Sequence, residues 1–192
     1  MLRKEIADSN ERDQFMKNTA LAVSFVFVLL LSPDLSRAQD SSRLIHEGVV
    51  NAPADQVWAA FTTKEGIESW MAAHASIDLK IGGTMKTQYD PKGTIDDAKA
   101  IWNTIISYEP GRMLSFRVTK TPDSFPFPNA IKGMWTVIYF IAETDKTTFV
   151  RVVSMGFGSD DESMKMREFF NRGNAVTLQR LQKRFAPKAD TK

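Results

Sequence analysis

Hydrophobic positions change their period several times along this 192-residue chain, and each change marks an element. Arg43 to Asn51 (RLIHEGVVN) reads as a strand. Pro53 suits the first position of a helix, where its missing N–H costs nothing. Val57, Trp58, Ala60 and Phe61 follow at helical spacing, through Phe61 or Thr62. Thr62 with Glu65 three places on fits a capping box, which predicts a second short helix to Met71. Ile77, Leu79 and Ile81 alternate with Asp78 and Lys80 as in a half-buried strand. Gly82-Gly83 then supplies a two-residue hairpin turn, and Met85, Thr87 and Tyr89 alternate on the return. Asp90-Pro91-Lys92-Gly93 is a turn sequence. Further strands are predicted over 99–108, 113–120, 132–142 and 148–157, with Pro110-Gly111 separating the first two.

Alternation alone does not orient the strand 99–108. Either Trp102-Thr104-Ile106-Tyr108 or Ile101-Asn103-Ile105-Ser107 faces inward, and bulk favours the first set. A second capping box, Ser159 to Glu162, opens a helix that runs to about Phe185. Met166, Phe169, Phe170, Gly173, Asn174, Val176, Thr177, Leu178, Leu181 and Phe185 fall on one face of it. A run of antiparallel strands closed by one long helix across the sheet predicts an α+β two-layer architecture.

Upstream lies a different kind of segment. Residues 20–31 (ALAVSFVFVLLL) carry no charge, Lys17 precedes them, and Ser36 and Ala38 place small residues where a signal peptidase needs them. This predicts a secretory signal peptide cut after Ala38. Twelve helical residues span about 18 Å, short of the ~30 Å hydrocarbon layer, so no permanent membrane span is expected after cleavage. The mixed charges of residues 1–15 are unlike a signal start and make Met16 the expected start of translation. The expected organisation is therefore 1–38 as extension plus signal, 39–188 as one domain, and 189–192 as a tail, with the mature protein periplasmic or secreted.

Composition removes whole classes of chemistry. At 43% hydrophobic and 25% charged the chain has the make-up of a folded protein. It has no cysteine, which excludes disulfides, thiol catalysis and cysteine-ligated metals. Its two histidines, His46 and His74, cannot form a three-histidine zinc site, and no metal site or cofactor is expected. With 25 basic against 23 acidic residues the charge is too balanced for an electrostatic nucleic-acid binder. No nucleophile elbow, phosphate-binding loop or His-Glu-x-x-His pair occurs.

Asn51-Ala52-Pro53 with Val57-Trp58, then Glu65-Gly66-Ile67 and Trp70, resembles the opening of heat-shock-protein-90 ATPase-activator homologues. These belong to the SRPBCC superfamily, with START lipid-binding domains, polyketide cyclases and birch-pollen-allergen-like proteins. Asp78 through Gly82-Gly83, Gly93, and Glu109-Pro110 with Leu114 continue the pattern in order. The family's closing Gly-Trp-x-x-x-Leu-x-x-Leu is met by Gly173, Leu178 and Leu181, with Asn174 in place of tryptophan. The resemblance covers residues 44–185. It implies a helix-grip fold, in which a curved antiparallel sheet of about seven strands wraps a long C-terminal helix and leaves a cavity between them. Two short helices follow strand 1. Relatives of this fold bind lipids, hormones or polyketides, stimulate a chaperone ATPase, or catalyse, so the fold does not select a chemistry. Export argues against a cytosolic chaperone partner.

On that fold the candidate cavity residues are Trp70, Tyr89, Trp102, Phe116, Trp135, Phe170, Asn174 and Thr177. Asn174 in place of tryptophan is expected to make its end of the cavity larger and wetter. Gly173 costs ~1 kcal/mol in a helix interior relative to alanine, so it serves either close approach to the sheet or room for a ligand. The loop Thr121–Asn129 (TPDSFPFPN), stiffened by three prolines, either packs on the sheet edge or caps the cavity mouth. His74, Asp78, Tyr89, Glu109 and Arg151 are the candidate acid–base groups, with His74 expected at the rim. The expected activity is binding of a small hydrophobic molecule, with no catalytic residue assigned. The alternatives are a cyclase- or hydrolase-like enzyme using His74 or a cavity tyrosine, and a protein-interaction module working through Phe125 and Phe127.

Overall fold

Seven strands join into one antiparallel sheet in the computed structural model, which describes residues 43–187. The expected signal peptide, its cleavage point and the tail 189–192 lie outside the described residues. The strands are β1 (Arg43–Val50), β2 (His74–Ile77), β3 (Thr84–Gln88), β4 (Ile101–Glu109), β5 (Met113–Lys120), β6 (Trp135–Ala142) and β7 (Thr148–Met155). Their spatial order is β1-β7-β6-β5-β4-β3-β2. Two short helices, α1 (Ala54–Thr62) and α2 (Lys64–Glu68), follow β1, and a long α3 (Asp161–Arg184) ends the domain. The sheet is curved and α3 lies against its inner face, the α+β helix-grip arrangement.

Two apolar clusters attach α3 to the sheet. Toward its C-terminal end, Leu178 and Leu181 join Val50, Ile105, Leu114, Ile138, Phe140 and Val150, together with Val57 and Phe61 of α1. Phe140 receives the edges of both Trp58 and Phe61, at centroid distances of 5.6 and 5.2 Å, a favourable aromatic geometry. Near its N-terminus, fully buried Met166 joins Leu44, Ile131, Met134 and Phe157. The helix crosses β1 at Gly48, where an added Cβ would stand 2.7 Å from Gln182 Nε2 and 3.3 Å from Leu178 Cδ2. Gln182 Nε2 also donates to the Val49 carbonyl at 3.1 Å, fixing the crossing point.

Several element boundaries differ from the sequence expectation. The strand expected over Ile77–Ile81 lies earlier, at His74–Ile77, where it pairs with β3 from Gln88 to Met85. Residues 78–83 form a turn instead: Gly82 takes a positive φ of 78°, and Gly82 and Gly83 exchange backbone hydrogen bonds with Ile105 of β4. Ile81, the last residue of the apparent alternation, is 71% exposed. The first capping residue is Thr63, whose Oγ1 accepts from Gly66 N at 3.0 Å. Thr62 remains in α1 and donates to the Trp58 carbonyl. Likewise Asp160, not Ser159, caps α3, accepting from Ser163 N at 3.0 Å. The start of the expected strand 132–142 is a 3-10 turn over Ala130–Gly133 that buries Ile131.

Glu162 has a different duty from the one a capping box assigns. Its Oε1 accepts from the backbone N–H groups of Asn129 and Ala130, at 2.9 and 3.1 Å. These bonds hold its carboxyl below the ordinary value of 4.5, as those from Ser163 do for Asp160. A depressed carboxylate adds stability that is complete above its unfolded pKa and is lost as pH falls toward the folded one. Glu162→Gln should therefore narrow the difference in thermal midpoint between pH 7 and pH 3, read by circular dichroism. Leu181→Ala, which empties a fully buried position, should lower the unfolding free energy in urea by about 2–5 kcal/mol.

Candidate ligand cavity

Between its two points of attachment α3 stands off the sheet, and a cavity of about 530 Å³ occupies the gap. Its floor is the inner face of β3 to β7, its roof is α3, and the loop Thr121–Pro126 closes one side. The other end is closed by Phe61, Trp70 and Met71. The Trp70 ring lies edge-on to Phe61 at 5.0 Å, and its indole N–H donates to the Ala60 carbonyl. Trp70 therefore offers the cavity an apolar face whose polar atom is already satisfied.

Six of the eight expected cavity residues line this space: Trp70, Tyr89, Phe116, Phe170, Asn174 and Thr177. Trp102 and Trp135 do not. The register sets Lys86, Trp102 and Lys120 side by side on three strands, and both ammonium groups lie over the indole, at 4.1 and 4.7 Å. Cation–π attraction holds Trp102 on the face where the charges remain solvated. Ile101, Asn103 and Ile105 point inward in its place, so the face favoured on bulk is the wrong one at this end. A register irregularity between Ile105 and Ser107 then restores Tyr108 to the core side, 6.4 Å from Trp58. Trp135 shares the outer face with Ile106, Met113, Val137 and Tyr139. Trp135 and Tyr139 remain 38% and 40% exposed there.

The helix wheel overstated the buried face of α3. Phe169 and Val176 are 45% and 48% exposed, because a helix against a curved surface touches it along a narrow stripe, although Phe169 still lines the cavity. Phe169 instead meets Phe125 and Phe127 of the loop at 6.0 and 5.7 Å. The loop is thus both packed on α3 and part of the cavity wall, and Glu162 secures its far end. At Gly173 an added Cβ would meet nothing within 4 Å, so this glycine leaves room and serves no close approach.

The polar groups of the wall are mostly committed to one another. Asn174 Nδ2 donates to Ser154 Oγ at 3.1 Å, Ser154 shares a hydrogen bond with Thr136, and Thr177 donates to the Gly173 carbonyl at 2.9 Å. Asn103, Thr87 and Thr136 are wall residues that the sequence pattern does not single out. Orienting β4 by the lysines beside Trp102 would have found Asn103. No Asp, Glu, Lys, Arg or His is among the lining residues.

Of the candidate acid–base groups only Tyr89 reaches the wall. Tyr89 is half-exposed, and the partial desolvation of its phenol raises it above the ordinary value against the opposing effects of the neighbouring Thr87 and Arg180. The His74 ring lies 3.1 Å from the Pro91 carbonyl, Asp78 pairs with Lys80, Glu109 with Arg112, and Arg151 with Glu47 on the outer face. The structure therefore does not assemble these five groups at one point. Among the described residues, no group of three His, Asp or Glu is placed to hold a metal ion.

Residues 51–186 match the family model described as activator of Hsp90 ATPase homolog 1-like protein. No curated protein sequence matches the chain. Among solved structures it is similar to the Aha1 dimer from Colwellia psychrerythraea, at 17% identity and a TM-score of 0.56, covering 74% of this chain and 95% of that one. It is also similar to CalU16 from Micromonospora echinospora, at 19% identity and a TM-score of 0.54, covering 76% and 77%. Protein NE0264 from Nitrosomonas europaea gives 17% identity and a TM-score of 0.55, covering 75% and 94%. At such identities these likenesses speak for the fold alone.

The open space at Gly173 yields a stability test. Its φ is not positive, so Gly173→Ala should gain helix propensity without a clash. The expected gain is about 0.5–1 kcal/mol in urea unfolding.

Proposed function

The chain belongs to the family of activator of Hsp90 ATPase homolog 1-like proteins, and from that premise we propose that it is an exported protein that binds a small hydrophobic molecule between its sheet and α3. The cavity carries the proposal. Its volume lies in the range of small-molecule sites, and its wall is mainly Phe, Trp, Met and aliphatic side chains. A solid core would serve stability better, since unfilled apolar space forfeits packing energy. Gly173, a wall residue at which an added Cβ would meet nothing within 4 Å, points the same way. The apolar run at 20–31 with small residues at Ser36 and Ala38 supports export. An exported protein does not meet a cytosolic chaperone, so the family's descriptive name is not taken as this protein's activity.

Binding would act through apolar burial at about 25 cal/mol per Å² of surface removed from water, opposed by the loss of ligand freedom. The loop Thr121–Pro126 would govern entry, with Phe125 as its innermost aromatic.

Native mass spectrometry of the protein from its own host's envelope fraction tests this reading. The expected result is a reproducible added mass that denaturation releases. Trp70 emission should change on ligand uptake, and Trp70→Phe should abolish most of that change, because Trp102 and Trp135 lie on the other side of the sheet and Trp58 packs in the core without lining the cavity. A protein that is always recovered empty, or only in the cytoplasm with residues 1–38 attached, would count against the proposal.

A further inference from the structure

Asn103 stands out among the wall residues. It sits in β4 between Met85 of β3 and Val118 of β5, on the floor of the cavity. It is 5% exposed. The other amide and two of the hydroxyls deep in the wall are engaged, Asn174 and Thr136 with Ser154 and Thr177 with Gly173, while Thr87 lies beside the Tyr89 phenol. Thr121 and Ser124 belong to the loop at the rim, in reach of solvent. The Asn103 side chain makes no hydrogen bond to another described residue, and its amide N–H₂ and carbonyl are not sealed off by protein but open onto the cavity. A carboxamide has two donors and one acceptor to satisfy, and here only the contents of the cavity can meet them.

We propose that Asn103 is the polar anchor of the ligand, and that the cavity selects a neutral, largely apolar molecule carrying a hydroxyl or carbonyl oxygen. This rests on the binding reading above and adds the chemical class. A hydroxyl meets both halves of the amide, and a carbonyl accepts from its N–H₂. A hydrocarbon that fills the same space strips the amide of water and returns nothing. A carboxylate fares no better, since the lining holds no lysine, arginine or histidine to compensate for its lost hydration. Arg180 acts on Tyr89 but is not part of the wall. The surrounding Met85, Phe116 and Val118 take up the apolar body of the ligand.

Three probes of one shape separate the terms: pyrene, pyrenemethanol and pyrenecarboxylate, titrated at neutral pH into the purified protein with Trp70 emission as readout. Pyrenemethanol should bind about tenfold or more tighter than either of the others. Asn103→Leu, which keeps the branched heavy-atom skeleton and is apolar, should erase the advantage of the alcohol over pyrene while leaving pyrene bound at least as well. If that variant does not fold, Asn103→Val, which suits a strand, takes its place. Equal affinities for all three probes, a carboxylate bound as tightly as the alcohol, or an alcohol preference that survives both substitutions would overturn the anchor and leave the apolar cavity reading standing. No binding of any probe would remove both.

Discussion

Leu178 and Leu181 reach from α3 into the same core as Val50, Ile105 and Leu114, and that contact makes a container of the sheet. Without it the inner face of seven strands would lie open to water, and no fold of this kind persists with such a face unsatisfied. A second attachment at Met166 steadies the other end of the helix. Because the sheet curves away between these two contacts, the helix spans the gap as a beam spans two supports. The cavity is a consequence of geometry as much as of sequence. The sequence decides only whether the gap is filled, and at Gly173 it is not.

What lines the gap follows from strand alternation and from charge. Lysines at 86 and 120 tie Trp102 to the solvated face, and the residues alternating with it are carried inward by necessity. Asn103 is therefore buried by its neighbours' preferences as well as its own. The polar set around Ser154, by contrast, links β6, β7 and α3 through side chains. It keeps helix and sheet in register at a point where apolar packing is interrupted.

Much of this was legible in the chain itself. The alternating segments from Met113 to Lys120 and from Thr148 onward, the Pro110-Gly111 turn and the long amphipathic C-terminal stretch all carry their signals within a few residues, and the structure places them as expected. Errors arose where a local signal competed with a contact distant in sequence. Ile77-Leu79-Ile81 alternates like a strand, yet Gly82 and Gly83 bond to Ile105 and the segment turns. Thr62 and Ser159 look like caps, yet the next residue provides each cap, because helix ends are set by backbone geometry that pattern does not resolve. In the cavity, bulk favoured Trp102 and Trp135 as lining residues, and only the cross-strand register reveals the charges beside Trp102. The open glycine, the unpartnered Asn103 and the role of Glu162 in holding a distant loop depend on three-dimensional placement and leave no trace in local pattern.

Gly48 has a bearing on how such a cavity could change over time. It is the shim on which α3 rests where the helix passes over β1, at a position outside the ligand space. An added methyl there meets only the flexible end of Gln182 and the tip of Leu178, but a bulkier side chain would press on Leu178 from behind the wall and lift one end of the beam. Ligand preference in this architecture can thus drift by adjustment of the hinge of the roof, while the chemistry of the walls stays the same.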